Sequence, residues 1–260
     1  MEKFQYKKYY GQNFLQDKNI LNKIIDVAEI DKDTLVLEIG PGSGNLSELI
    51  IPLSGYTILY EIDKELENIL NKKLSAFNNY KIIFGDFLKQ NIGNDISSFN
   101  YSKVYVVANL PYYITTPIIS KLINEISPSK IIVMVQDEVA DRLAGKVNTK
   151  NYGMISVLLS SKYNVKKKFK VSKNCFYPVP KVDSAIISLT KHNKYKIKDN
   201  LFFKQIVGDS FKLKRKNLRN NLKSYDLNKI QKILEKYEYT LNDRAENIPV
   251  DVFIDIANNI

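Results

Sequence analysis

Two hydrophobic periods trade places along the chain. Short, nearly continuous apolar runs rich in Val, Ile, Leu and Tyr occupy 35–39, 56–62, 81–84, 104–108 and 130–135. Runs this short and this apolar read as strands covered on both faces. Between them, segments around 43–51, 64–77 and 117–126 repeat their apolar residues at helical spacing. An opening segment, 19–28, sets Ile20, Ile24, Val27 and Ala28 on one helical face. This alternation predicts an α/β fold with a parallel sheet and crossover helices. Further on, 137–143 and 152–161 read as helices, and period-two alternation returns at 163–171 and 182–189. The last two predict a strand pair closing one edge of the sheet. From about residue 199 only helical patterning remains, and the polar Lys/Asn stretch 190–198 marks a boundary. The expected organisation is an α/β domain over 1–190 and a small all-helical domain over 191–260.

Charge changes the picture more than overall composition does. The 260 residues carry 39 Lys and Arg against 28 Asp and Glu, a formal net charge of +11, which points to a polyanionic partner. The excess is concentrated: 191–260 holds 15 basic residues against 9 acidic ones. Two basic stretches, 162–173 and 212–223, contain no acid. The first suits a solvated surface as well as a binding one. In the second, Lys212, Lys216, Arg219 and Lys223 fall at i, i+4, i+7 and i+11, one face of a predicted helix that can follow a phosphate backbone. With Cys175 and His192 each alone of its kind, neither an internal disulfide nor a Cys/His metal cage is expected. No apolar run is long enough for a membrane span, and the opening MEKFQYKKYY has no secretory core.

The candidate chemistry sits at the carboxyl ends of the predicted strands. The first strand runs into Gly40-Pro41-Gly42-Ser43-Gly44, a turn that lets a ligand approach the backbone at a helix N-terminus. The spacing G-x-G-x-G differs from the dinucleotide fingerprint, and such a loop suits either a pyrophosphate or the methionine end of S-adenosylmethionine. Glu61 closes the second strand, where an acid can accept hydrogen bonds from ribose hydroxyls. Asp63 is the more natural helix cap there. Asp86 follows the third strand and suits ligand binding or an Asx turn after Gly85 equally well. Asn109-Leu110-Pro111-Tyr112 follows the fourth strand directly. It offers an amide oxygen, a stiffened turn and a flat aromatic face, a set that can hold a planar base. Phe176-Tyr177-Pro178-Val179-Pro180 adds a proline-locked loop expected to keep an aromatic out of the core, so that Tyr112 and Phe176 together suggest a two-sided stacking slot.

Taken together, GQNFL (11–15), EIGPGSG, Glu61, GDF, NLPYYIT, FYPVPKVDSA, FKLKRKNLRNNLK and DRAENIPVDVF resemble the ribosomal RNA adenine-N6 dimethyltransferases of the kasugamycin-resistance type, in order and over nearly the whole chain. The resemblance implies a Rossmann-like S-adenosylmethionine methyltransferase domain and a helical rRNA-binding domain. By resemblance, Asn13, Leu15 and Gly40 line the methionine end of the cofactor. Glu61 takes its ribose hydroxyls and Asp86 its adenine amine, with Gly42, Ile62, Phe87 and Asn109 completing the set. Tyr112 and Phe176 sandwich the flipped target adenine, beside Asn109, Leu110 and Pro111. Lys212, Lys214, Arg215, Lys216, Arg219 and Lys223 become rRNA contacts.

The tail motifs resemble the small-subunit branch, which implies two adjacent adenosines in the 3′-terminal hairpin of 16S rRNA as substrate. The small ribosomal subunit becomes the partner, and a monomeric, metal-free, cytoplasmic enzyme is expected. The large-subunit macrolide-resistance branch and a non-catalytic ribosome-assembly factor stand as alternatives. A nicotinamide oxidoreductase fits less well, because the G-x-G-x-x-G turn and a histidine near these motifs are both missing.

Overall fold

The computed structural model describes residues 12–260, so Gly11 of the first motif lies outside the described residues. The described residues contain nine strands: β1 (Phe14–Leu15), β2 (Thr34–Ile39), β3 (Tyr56–Glu61), β4 (Tyr80–Phe84), β5 (Lys103–Asn109), β6 (Lys130–Gln136), β7 (Tyr163–Val171), β8 (Phe176–Tyr177) and β9 (Ser184–Lys191). Seven form one sheet in the order β4-β3-β2-β5-β6-β9-β7. The five apolar runs of the sequence are its parallel strands, with Leu37 of β2 set between Ile58 of β3 and Val106 of β5. The expected edge pair is there too, and β9 runs antiparallel to β6. Helices cover the faces because their apolar stripes are the only partners for the sheet's. Lys18–Ala28 buries Leu21, Ile24 and Ala28, and Thr115–Glu125 buries Ile118, Ile119 and Leu122.

The strand order positions the site. From β2 the chain winds outward through β3 and β4, then returns to lay β5 on the other side of β2. The carboxyl ends of β2 and β5 therefore diverge at a topological switch point, where open α/β sheets bind their ligands.

The helices after β2 and β3 are shorter than the sequence suggests. Only Ser47–Ile50 is helical after the glycine turn, and a 3-10 turn at Lys64–Leu66 precedes the helix Glu67–Lys73. Gly42 and Gly44 take φ of +58° and +77°, values foreign to a right-handed helix, so the turn delays the helix start.

The described residues form two compact units: 12–140 with Lys167–Thr190, and Asp141–Lys166 with Lys191–Ile260. One division falls after Thr190, and Asp141–Lys166 packs with the helical unit although it precedes that point in the chain. Its apolar side chains Tyr152 and Val157 belong to the core formed with Phe203, Ile206, Leu234 and Phe253. The Tyr152 phenol also donates to the Ile248 carbonyl at 3.0 Å.

The basic stretch is a correction. Residues 212–223 are not one helix; only Leu218–Asn221 is helical, after a run of turns. Asparagine side chains claim the backbone groups that a helix would use. Asn217 caps the short helix, while Asn221 donates to the Ser210 carbonyl at 2.7 Å and accepts from the Leu213 amide at 3.1 Å. Lys212, Lys214, Arg215, Lys216, Arg219 and Lys223 remain exposed, spread over turns and one short helix rather than along one helical stripe. The DRAEN element braces that segment: Leu218 and Arg219 donate backbone hydrogen bonds to the carbonyls of Asp243 and Leu241, both at 2.9 Å.

Candidate active site

One cleft at the switch point gathers Asn13, Gly40, Gly42, Glu61, Ile62, Asn109, Leu110, Pro111 and Tyr112, together with Gln12, Phe14 and Leu66. Nine of the residues singled out in the sequence thus meet in one place. Each is delivered by a strand end: Gly40 follows β2, Glu61 ends β3 and Asn109 ends β5.

The glycine turn and Glu61 are locked together. Glu61 accepts the Gly42 amide on Oε2 at 3.0 Å and the Asp63 amide on Oε1 at 2.9 Å, so its carboxylate is buried yet fixed in direction. Burial raises its pKa, and the two backbone donors oppose the shift. Asp63 is the cap that the sequence suggested, accepting from the Glu65 amide. At Gly42 a Cβ would lie 2.5 Å from the Phe14 ring on backbone at φ +58°, so two independent constraints demand glycine. Gly42→Ala is expected to destabilise the fold by about 1–3 kcal/mol and to displace Phe14 from the loop. A thermal melt and a cofactor titration together check this, both falling in the variant.

Asn109 is oriented by the segment that crosses the cleft. Its Nδ2 donates to the Asn13 carbonyl at 3.0 Å, which leaves Oδ1 as the side-chain acceptor. Leu110 is buried and its amide donates to the Met134 carbonyl at 3.2 Å, pinning the turn to β6. Tyr112 is half-buried with its phenol oxygen 2.7 Å from Ser184 Oγ. Burial pushes the phenol pKa up and the Ser184 contact opposes it.

Four expected residues fall outside the cleft lining. Leu15 is buried and lines a smaller adjoining cavity with Glu38, Gly40 and Asn109. Asp86 caps the turn Phe87–Lys89, its Oδ1 accepting from the Leu88 amide at 3.0 Å. Phe87 is buried edge-on against Tyr60. Phe176 is the correction: at 3% exposure it packs in the core with Leu15, Leu21 and Ile186. The proline loop instead holds the neighbouring Tyr177 outward. The cause is a two-stranded sheet that sequence patterning missed, in which Phe14 pairs with Tyr177 and Leu15 with Phe176. Alternation along that strand turns one aromatic inward and the next outward.

Sequence reasoning also passed over Glu38, though an acid inside an all-apolar strand is a visible signal. It is 1% exposed, and its Oε2 has no hydrogen-bond partner among the described residues. Burial pushes its carboxyl to about 8, Ser47 opposes the shift and the Glu61 charge adds to it. A cationic ligand group reaching the adjoining cavity would satisfy that orphaned oxygen, and Gly40, where only the Asn109 carbonyl lies within 4 Å of a Cβ position, leaves room for backbone approach. Both features suit the ammonium end and the bulk of S-adenosylmethionine.

The raised value has a sign in stability. Between about 4.5 and about 8 the folded chain holds a proton at Glu38 that the unfolded chain has lost. Stability therefore falls as pH rises through that window, by about 1.4 kcal/mol per unit from this group. Urea melts of Glu38→Gln across the window are expected to lack this slope; an unchanged slope would place the titration elsewhere.

A family model described as ribosomal RNA adenine dimethylase matches residues 3–260. The chain belongs to the ribosomal RNA adenine dimethylase family. Curated relatives agree over nearly their whole length. The ribosomal RNA small subunit methyltransferase A of Fusobacterium nucleatum is 42% identical, covering 97% of each chain. That of Streptococcus sanguinis is 40% identical, covering 98% of this chain and 92% of the relative. Among solved structures, a dimethyladenosine transferase from Plasmodium falciparum superposes with a TM-score of 0.81 at 26% identity, over 94% of this chain and 95% of the other. The 23S rRNA methyltransferase ErmE superposes at 0.75 with 24% identity over 94% and 98%, a likeness of fold. This dimethylase-family chain has no group of three or more potential metal ligands among its described residues, and no helix among them is long and apolar enough to cross a membrane.

Proposed function

We propose that the protein transfers methyl groups from S-adenosylmethionine to N6 of two adjacent adenosines in the 3′-terminal hairpin loop of small-subunit rRNA, giving N6,N6-dimethyladenosine. The observation that carries this reading is the convergence of Gly42, Glu61, Asn109 and Tyr112 on one cleft, in a family member 40–42% identical to small-subunit methyltransferases. S-adenosylmethionine supplies an electrophilic methyl group on a sulfonium. Asn13, Leu15, Gly40 and Gly42 would hold its methionine end, Glu61 its ribose hydroxyls, and Asp86 and Ile62 its adenine.

The nucleophile is the harder half of the problem. Adenine N6 conjugates its lone pair into the ring and attacks poorly. Asn109 Oδ1 and the Leu110 carbonyl accept its two hydrogens, which favours a pyramidal nitrogen with the lone pair aimed at the methyl. Tyr112, half-buried at the cleft, holds the flipped base by stacking. Positioning and electrostatics then supply the acceleration. No side-chain base is needed, because the N–H proton becomes acidic as the N–C bond forms. Re-entry of the monomethylated base gives the dimethyl product.

The exposed Lys212, Lys214, Arg215, Lys216, Arg219 and Lys223 contact rRNA phosphates on the assembling subunit, where the enzyme acts as a monomer in the cytoplasm. Expression in a bacterial strain that lacks the modification tests the reading in cells. Dimethyladenosine reappearing in small-subunit RNA is the expected result. Its appearance in large-subunit RNA would move the protein to the macrolide-resistance branch, and no product would favour an assembly factor.

A further inference from the structure

A charged cleft of about 390 Å³ lies beside the catalytic turn, bordered by Lys170, Lys173, Lys181, Asp137, Glu138 and Asp183. It connects to the target-base slot through β9. Ser184, whose hydroxyl contacts the Tyr112 phenol, pairs with Gln136 in the ladder and follows Asp183 directly.

The charges in this cleft are divided between structural and available groups. Asp137 binds Lys167 at 2.7 Å, and Asp183 binds Lys170 at 2.9 Å. Asp183 also accepts the Lys173 amide at 3.0 Å, which braces the loop. The ammonium groups of Lys173 and Lys181 have no carboxylate partner among the described residues, and both side chains are exposed. On the same loop Tyr177, Val179 and Val182 are 56%, 57% and 44% exposed. An outward aromatic face among unpaired cations is the combination that grips single-stranded nucleic acid, by stacking on a base and neutralising phosphates.

We propose that this loop and cleft hold the nucleotides flanking the methylated adenosine, with Tyr177 stacking on a neighbouring base and Lys173 and Lys181 taking the phosphates. The inference rests on the rRNA methyltransferase reading above. Glu138 is the one exposed acid on the rim, and its charge opposes the same phosphates. The surface therefore predicts effects of opposite sign from neighbouring residues, which a purely structural role does not.

The test uses the full chain, a fluorescent RNA hairpin carrying two adjacent loop adenosines, and small subunits lacking the modification. Tyr177→Ala is expected to raise the KM for subunits about 5- to 100-fold while S-adenosylmethionine affinity and melting temperature hold. Lys173→Ala/Lys181→Ala is expected to shallow the slope of log K against log salt by about 1.4. Glu138→Gln is expected to tighten hairpin binding. A wild-type KM for Tyr177→Ala, an unchanged salt slope, or weaker binding by Glu138→Gln overturns the inference. So does a loss confined to intact subunits with hairpin binding unchanged, which assigns the surface to a ribosomal protein. Failure of the wild-type chain to methylate is a separate result: it removes the enzymatic reading, while hairpin binding still reports on the loop.

Discussion

Asn109→Ala is expected to lower methyl transfer at saturating substrate by at least 10²- to 10³-fold, the effect of removing one preorganised polar contact from a transition state. Binding of small subunits should survive nearly unchanged. Asn109 ends β5 at the switch point and spends its Nδ2 on the Asn13 carbonyl, so its Oδ1 is the side-chain acceptor held at the cleft. Alanine removes that acceptor and also frees the segment carrying Asn13. A parallel Asn109→Asp variant separates the two effects: it keeps an acceptor but loses the donor to Asn13. Single-turnover rates on subunits lacking the modification provide the readout. A wild-type rate for Asn109→Ala would remove the residue from the reaction.

Reversing charge at Lys216 and Arg219 is expected to weaken RNA binding by on the order of 10- to 100-fold at moderate salt and to shallow its salt dependence by about 1.4 to 1.8. Both side chains are exposed on the braced turn region, away from the core formed by Leu218 and Leu222. The melting temperature should therefore hold, since exposed substitutions of this kind fall within about 0.5 kcal/mol. Binding isotherms at four salt concentrations measure the slope directly. An unaltered slope would take this segment out of the interface, whatever happened to turnover.

These two predictions draw on parts of the molecule that were unequally legible from sequence. The glycine turn, Glu61 and Asn109 were readable because strands buried on both faces leave unbroken apolar runs, and each ligand candidate directly follows such a run. The basic segment was legible in charge but not in shape. A 4-3-4 lysine and arginine spacing fits a helix, yet Asn217 and Asn221 capture the backbone and break the segment into turns. The destination of Asp141–Lys166 was hidden for another reason: an apolar face does not say which of two cores will cover it.

Phe176 shows the same limit at the scale of one residue. Its burial depends on pairing with a two-residue strand far away in sequence, and runs that short carry no periodic signal. Glu38 is the opposite case, an acid in an otherwise apolar strand whose oddity was visible and whose meaning needed the cavity.

The most direct test of the central claim is methyl transfer from labelled S-adenosylmethionine to purified small subunits lacking the modification, with large subunits as control and the labelled nucleosides identified after digestion. N6,N6-dimethyladenosine confined to the 3′-terminal hairpin of the small-subunit RNA is the expected result. Label in the large subunit, or none anywhere while the cofactor still binds, would contradict it.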